Sequence, residues 1–166
     1  MNTFSLSLMA NRIAIQDGRD EDATAFLHRQ IRNWFNMGLL SACDYRGHGK
    51  TATALFDESA LCAARLYSVL IDLGFDVKLL RNARDIMKPD LLKVIESSGE
   101  WTFELTLKRE RSTGKTQVTG GFREAGKEPD KTAMRILAAQ DKEHGLVLQA
   151  TVLLPASALF HTLLES

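Results

Sequence analysis

The chain has 166 residues, of which 45% are hydrophobic and 25% are charged, and its 21 basic side chains balance its 21 acidic ones. This composition is typical of a globular protein, and a net charge of zero argues against a protein that coats nucleic acid indiscriminately. No apolar run approaches the roughly 20 residues of a membrane span, and no basic segment leads a continuous apolar core at the N-terminus. We therefore expect a cytoplasmic protein without a membrane partner.

Cysteine and histidine usage gives no sign of a metal or redox site. Cys43 and Cys62 form neither a Cys-x-x-Cys pair nor a cluster with histidine, and the four histidines are scattered without ligand spacing. For both cysteines we expect a small, buried side chain. No metal and no cofactor are predicted.

The first forty residues predict two helices separated by a turn. Apolar residues at helical spacing between positions 6 and 13 indicate a first helix over residues 4–15. Gly18 in the turn can adopt a positive φ, and the acidic residues at 20–22 suit the N-terminus of a second helix that ends at Gly38. Its predicted buried set is Leu27, Ile31, Trp34 and Phe35, and its opposite face carries Ala25, His28, Arg29, Arg32 and Asn36.

A polar segment at residues 44–53 contains two glycines and is predicted to form an exposed β-hairpin. The apolar pairs at 39–40 and 55–56 flank it, and we expect them to pair as its short strands. Asp57 is suited to cap a third helix, which Gly74 ends, and Asp76 is suited to cap a fourth.

Four segments of this half follow one another in a recognisable order. The segments are Ile-Arg-Asn-Trp-Phe-Asn-Met-Gly-Leu-Leu at 31–40, Asp-Tyr-Arg-Gly-His-Gly-Lys-Thr at 44–51, Ala-Leu-Phe-Asp-Glu-Ser-Ala-Leu at 54–61 and Leu-Gly-Phe-Asp-Val-Lys-Leu-Leu at 73–80. This order resembles the winged helix-turn-helix of MerR-type transcriptional regulators, and the match covers only the first half of the chain. The resemblance implies a DNA-binding domain over residues 1–88.

The resemblance also implies two groups of DNA contacts. Three side chains on the second helix would face the DNA, with Arg32 at the position of the arginine in the family's Ile-Arg-Tyr-Trp pattern. Three more on the hairpin would neutralise phosphates or enter a minor groove. Trp34 is expected in the core. The candidate DNA-binding residues are His28, Arg29, Arg32, Arg46, His48 and Lys50.

The second half of the chain, residues 89–166, predicts a small α+β domain. Alternating apolar and polar residues at 101–107 make the clearest period-two segment. Further strands are expected at 116–122, 134–140 and 146–154, followed by a C-terminal helix from Pro155. We infer a four-stranded antiparallel sheet with one face covered by helix, and expect the domain to serve dimerisation or contact with a protein partner or effector.

Together these features predict a non-enzymatic, sequence-specific transcriptional regulator that binds double-stranded DNA as a homodimer or cooperative multimer and senses no metal. Two alternatives stay open: an excisionase-like protein that bends DNA, and a protein-interaction module built on a winged-helix scaffold. Residues 47–51 superficially resemble a phosphate-binding loop, but the first glycine is misplaced and no helix follows directly, so nucleotide binding is rejected. No serine elbow, His-Glu-x-x-His motif or paired carboxylate set indicates an active site.

Overall fold

The computed structural model describes residues 2–128 and 131–165, and the side chains of Lys50 and Ala133 lie outside that description. The chain forms two compact units, one made of Met1–Arg84 with Ala158–Ser166 and the other of Asp85–Ser157. The described residues form seven α-helices and five strands in two antiparallel sheets. In chain order the elements are α1 (Leu6–Asp17), α2 (Glu21–Asn36), β1 (Asp44–Arg46), β2 (Thr53–Leu55), α3 (Glu58–Asp72), α4 (Val77–Met87), α5 (Leu91–Glu96), β3 (Trp101–Glu110), β4 (Thr116–Glu124), α6 (Lys131–Glu143), β5 (Leu146–Leu154) and α7 (Ala156–Glu165).

Capping side chains fix the starts of three helices in the first unit. Asp20, Asp57 and Asp76 each accept a hydrogen bond of 2.8 Å from the backbone N–H three residues ahead, where α2, α3 and α4 begin. Gly18 and Gly38 adopt left-handed φ values of 64° and 72° just after α1 and α2. The predicted starts and ends of these elements are therefore confirmed within about two residues.

The apolar faces of these helices meet in one core. The Tyr67 ring is fully buried and meets Trp34 edge-on at 5.6 Å, while its hydroxyl donates to the Leu39 carbonyl at 3.2 Å. The backbones of Phe4 and Phe56 exchange hydrogen bonds of 2.8 and 2.9 Å, which ties the start of the chain to the end of the hairpin. The other core side chains with at most 1% exposure include Met9, Ala10, Ile13, Leu27, Ile31, Leu61, Leu66, Leu70, Leu80, Ala83, Phe160 and Leu163.

The hairpin between α2 and α3 uses other strands than the predicted ones. β1 and β2 pair antiparallel over three residue pairs, and a 3₁₀ turn at Gly49–Thr51 lies in their connection. The expected pairing of Leu39 and Leu40 with residues 55–56 is wrong. Both leucines are at most 4% exposed and pack in the core, where burial of their apolar surface is more favourable than an exposed strand position.

The two cysteines lie in different environments. Cys62 on α3 is fully buried, as predicted, and this burial raises the pKa of its thiol. Cys43 is exposed, so the prediction of a buried side chain is wrong there. Its backbone N–H and its thiol both donate to the Leu55 carbonyl, which holds it at the rim of the hairpin rather than in the core.

The second unit is built on an antiparallel sheet with the strand order β4-β3-β5. The predicted alternation is confirmed in β3, where Trp101, Phe103 and Leu105 are buried and the residues between them are half-buried. Phe103 lies opposite Phe122 of β4 and Leu154 of β5, so the central strand brings apolar side chains of all three strands to one face.

Residues 134–140 belong to α6 and not to a strand, so the sheet has three strands rather than the predicted four. Apart from Ile136, this segment consists of residues that favour helices over strands, namely methionine, arginine, leucine, alanine and glutamine. Met134, Leu137, Ala138 and Asp141 follow one side of the helix and line a cleft of about 620 Å³ between α6 and the sheet.

Candidate nucleic-acid interface

Helix α2 separates a buried face from an exposed one. Leu27, Ile31 and Trp34 are at most 2% exposed, as predicted for its core face. Phe35 is half-buried and meets Phe56 edge-on at 5.2 Å. Spacings of four, three and four residues place the exposed set on one side of the helix. That set is Ala25, Arg29, Arg32 and Asn36.

His28 lies at the margin of this exposed side. Its ring is half-buried, and its Nε2 atom lies 3.2 Å from the Ser7 hydroxyl oxygen of α1. Ser7, Asn11, Thr24 and His28 line a shallow cleft between α1 and α2. The imidazole therefore lies within hydrogen-bond distance of α1, whereas Arg29 and Arg32 are exposed.

An exposed aromatic ring lies beside Arg29. Phe26 is 52% exposed, and the guanidinium carbon of Arg29 lies 5.9 Å from the centre of its ring. A cation over an aromatic face gains about 0.5–1 kcal/mol at an exposed site, so the contact orients Arg29 without neutralising its charge. Phe26 is missing from the predicted site. The signal that identifies it is a large apolar residue one helical turn before an exposed arginine.

The first strand of the hairpin, β1, and the residues directly after it expose their side chains to solvent. Arg46 and His48 are exposed, as their predicted role requires. The Lys50 side chain, which is the third predicted contact of the hairpin, lies outside the described residues. Tyr45 is 57% exposed and is a further aromatic residue that the sequence-based prediction does not include.

The arginines of the first unit fall into two groups. Arg29, Arg32, Arg46 and Arg81 form no ion pair with any residue in the described ranges, and Arg81 belongs to α4 rather than to α2 or the hairpin. An exposed guanidinium without an acidic partner keeps its charge and its N–H donors available for a phosphate or a guanine. The other group donates to protein oxygens: Arg12 to Leu163, Arg19 to Asp17 and Asp72, Arg65 to Asp17 and Gln16, and Arg84 to Gly38.

Other kinds of site find no support in the described part of the chain. Within residues 2–128 and 131–165, no group of three or more His, Cys, Asp or Glu side chains is placed to hold a metal ion. No helix of those ranges is both long and apolar enough to cross a membrane. Comparison of the chain with protein-family models and with curated protein sequences gave no match.

Proposed function

We propose that the first unit reads duplex DNA and that the protein is a non-enzymatic, sequence-specific transcriptional regulator of MerR-like type. The observation that carries the proposal is a group of three exposed arginines that have no acidic partner among the described residues, Arg29 and Arg32 on α2 and Arg46 on the hairpin. The order of α1, a three-residue turn, α2, the hairpin and α3 supports it further, because the family resemblance implies these elements in this order.

In this proposal α2 lies in the major groove, which is wide enough to admit a helix. An arginine on its exposed side donates two hydrogen bonds to guanine O6 and N7, and one such pair discriminates against a wrong base by about 1–3 kcal/mol. Arg32 and Arg29 are the candidates for this contact. Phe26 beside Arg29 offers an apolar surface to a thymine methyl group.

The hairpin contributes affinity rather than base selection. Arg46, His48 and Lys50 neutralise phosphates or enter the adjacent minor groove. About four cationic contacts per copy give a slope of log K against log salt concentration of about −3.6. Because one copy makes few base contacts, the active form is a dimer or cooperative multimer on repeated half-sites.

The test compares an arginine on α2 with an arginine on the hairpin. Preferred duplexes are selected from a random pool with the wild-type chain, and affinities for a selected and a scrambled duplex are then measured by fluorescence anisotropy. We expect Arg32→Ala to weaken the selected duplex about 5- to 150-fold and to reduce discrimination between the two duplexes. We expect Arg46→Ala to weaken both duplexes alike and to reduce the salt slope by about one.

The charge-matched control is Arg135→Ala, which removes an exposed arginine from α6 in the second unit. It is expected to bind both duplexes like the wild type. If Arg32→Ala and Arg46→Ala also bind like the wild type, the proposed surface is not the one that contacts DNA.

The exposure of Phe26 and Tyr45 favours one competing function, a module that binds another protein through the same scaffold. That function predicts that substitution of Phe26 or Tyr45 abolishes partner binding while Arg32→Ala and Arg46→Ala have no effect. Adding Tyr45→Ala to the arginine variants therefore separates the two functions, because Tyr45 has no assigned DNA contact.

A further inference from the structure

The sheet of the second unit has two outer strands of different character. In the strand order β4-β3-β5, no strand of the described residues pairs with the outer edge of β4 or of β5. Edge strands are usually protected by charges, prolines or bulges, because an open edge can pair with another chain. β4 contains Gly120, Gly121, Arg123 and Glu124, whereas β5 contains no charged residue, no glycine and no proline.

One part of the β5 edge is protected and the other is not. The pairing with β3 shifts register so that Gln149 has no partner between Leu148 and Ala150. The side-chain amide of Gln149 donates to the carbonyls of Val147 and Leu148 at 3.5 and 3.4 Å. Residues 150–154, after the register shift, pair regularly with β3, and within the described residues they have neither a bulge nor a charged side chain at the edge.

Two large apolar side chains of β5 are exposed on one face of the sheet. Leu148 lies opposite Lys108 and Leu153 lies opposite Glu104, and Lys108 pairs with Asp141 of α6 at 2.5 Å. Both leucines therefore lie on the side of the sheet that carries α6. Each of them is 59% exposed. Exposed apolar side chains on the same face of an open strand suit an interaction surface.

We propose that two copies of the chain pair through residues 150–154 of β5, antiparallel across a two-fold axis at Val152. Val152 then lies opposite its own copy, and Leu153 lies opposite Thr151. The pairing joins two three-stranded sheets into one sheet of six strands and removes the open edge from both copies. Leu153 of each copy is covered by the other.

A second copy is the partner that fits this edge. A symmetric contact places each residue of the strand against the same strand, and an uncharged strand meets no like charge in that arrangement. The same contact on β4 would place two copies of that strand side by side. The exposed side chains of β4 are polar or charged, and its centre is Gly120-Gly121. The inference deepens the proposed function by naming the dimer contact, but it does not depend on DNA binding because it concerns the free protein.

The first test is the mass of the full chain in solution without DNA, measured by sedimentation equilibrium over a concentration series. The wild type is expected at twice the 18.5 kDa of one chain. Leu153→Lys is expected to shift the mass to that of one chain, because it places a charge in the contact. Leu92→Lys, which changes a leucine of α5 that is 55% exposed, is expected to leave the dimer intact.

The second test uses cross-linking in a Cys43→Ser background, which leaves only the buried Cys62. Val152→Cys is expected to form a disulfide-linked dimer on mild oxidation, because the two copies of this residue lie opposite one another. Thr151→Cys is expected not to, because its two copies lie more than about 7 Å apart in this register. A monomeric wild type, a dimer unaffected by Leu153→Lys, or equal cross-linking of the two cysteine variants would overturn the proposal.

Discussion

Replacing Gly120 by alanine is expected to destabilise the second unit more than any other single methyl addition in its sheet. A β-carbon at Gly120 would lie 2.0 Å from the carbonyl oxygen of Glu104 and 3.1 Å from the α-carbon of Leu105. Both are backbone atoms of the paired strand β3, so they can move only if the register between β3 and β4 is disturbed. The expected loss is about 3–5 kcal/mol of the free energy of unfolding.

Gly121 provides the matched control for this substitution. Its φ of 159° is nearly the same as the 158° of Gly120, but an added β-carbon would meet nothing within 4 Å. Gly121→Ala therefore carries the backbone strain alone, about 1–3 kcal/mol. Urea unfolding followed by far-ultraviolet circular dichroism measures both variants. If the two variants lose the same free energy of unfolding, the close approach of Glu104 to Gly120 does not contribute to the loss.

Replacing Asp17 by asparagine is expected to destabilise the first unit by about 3–5 kcal/mol, because it leaves a buried guanidinium without its counter-charge. The side chain of Arg65 is 8% exposed, and its ion pair with Asp17 has an N–O distance of 2.5 Å. Asp17 also accepts from Arg19 at 2.9 Å, whereas Gln16 is a neutral partner for Arg65. Burial lowers the pKa of Arg65, and the charge of Asp17 opposes that shift.

Asp72→Asn is the control for the loss of one negative charge in the same network. Asp72 pairs with Arg19 at 2.7 Å, but its side chain is 59% exposed, so solvent screens the interaction. Asp72→Asn is therefore expected to lower the free energy of unfolding by at most about 1 kcal/mol. Urea unfolding compares the two variants under the same conditions. If Asp72→Asn lowers the free energy of unfolding as much as Asp17→Asn does, the burial of Arg65 does not explain the effect of Asp17→Asn on stability.

Local signals in the sequence were sufficient for the helix boundaries of the first unit. Asp20, Asp57 and Asp76 act as caps because a short acceptor side chain satisfies N–H groups that the helix leaves free. Gly18 and Gly38 take left-handed conformations that other residues adopt at a cost. These preferences act within a few residues, so they are readable without knowledge of the fold.

Features that depend on distant partners could not be read in this way. The strand predicted at 134–140 is an exception, because the composition of that segment favours a helix and the prediction did not use this local signal. Leu39 and Leu40 flank a polar segment as a hairpin strand would, but both are buried in the core. At the candidate site, charge and spacing together with the family resemblance predict Arg29, Arg32 and Arg46. That these arginines have no acidic partner among the described residues, and that Phe26 lies beside Arg29, depends on tertiary packing.

DNA binding by the full wild-type chain is the central claim, and a fluorescence-anisotropy titration against a pool of genomic fragments tests it most directly. The titration is carried out at two salt concentrations. We predict binding that is selective among fragments and that weakens with salt along a slope of about −3.6 in log units per copy. Absence of binding at low salt, or equal binding to every fragment, would contradict a sequence-specific regulator and direct attention to protein partners of the exposed surfaces.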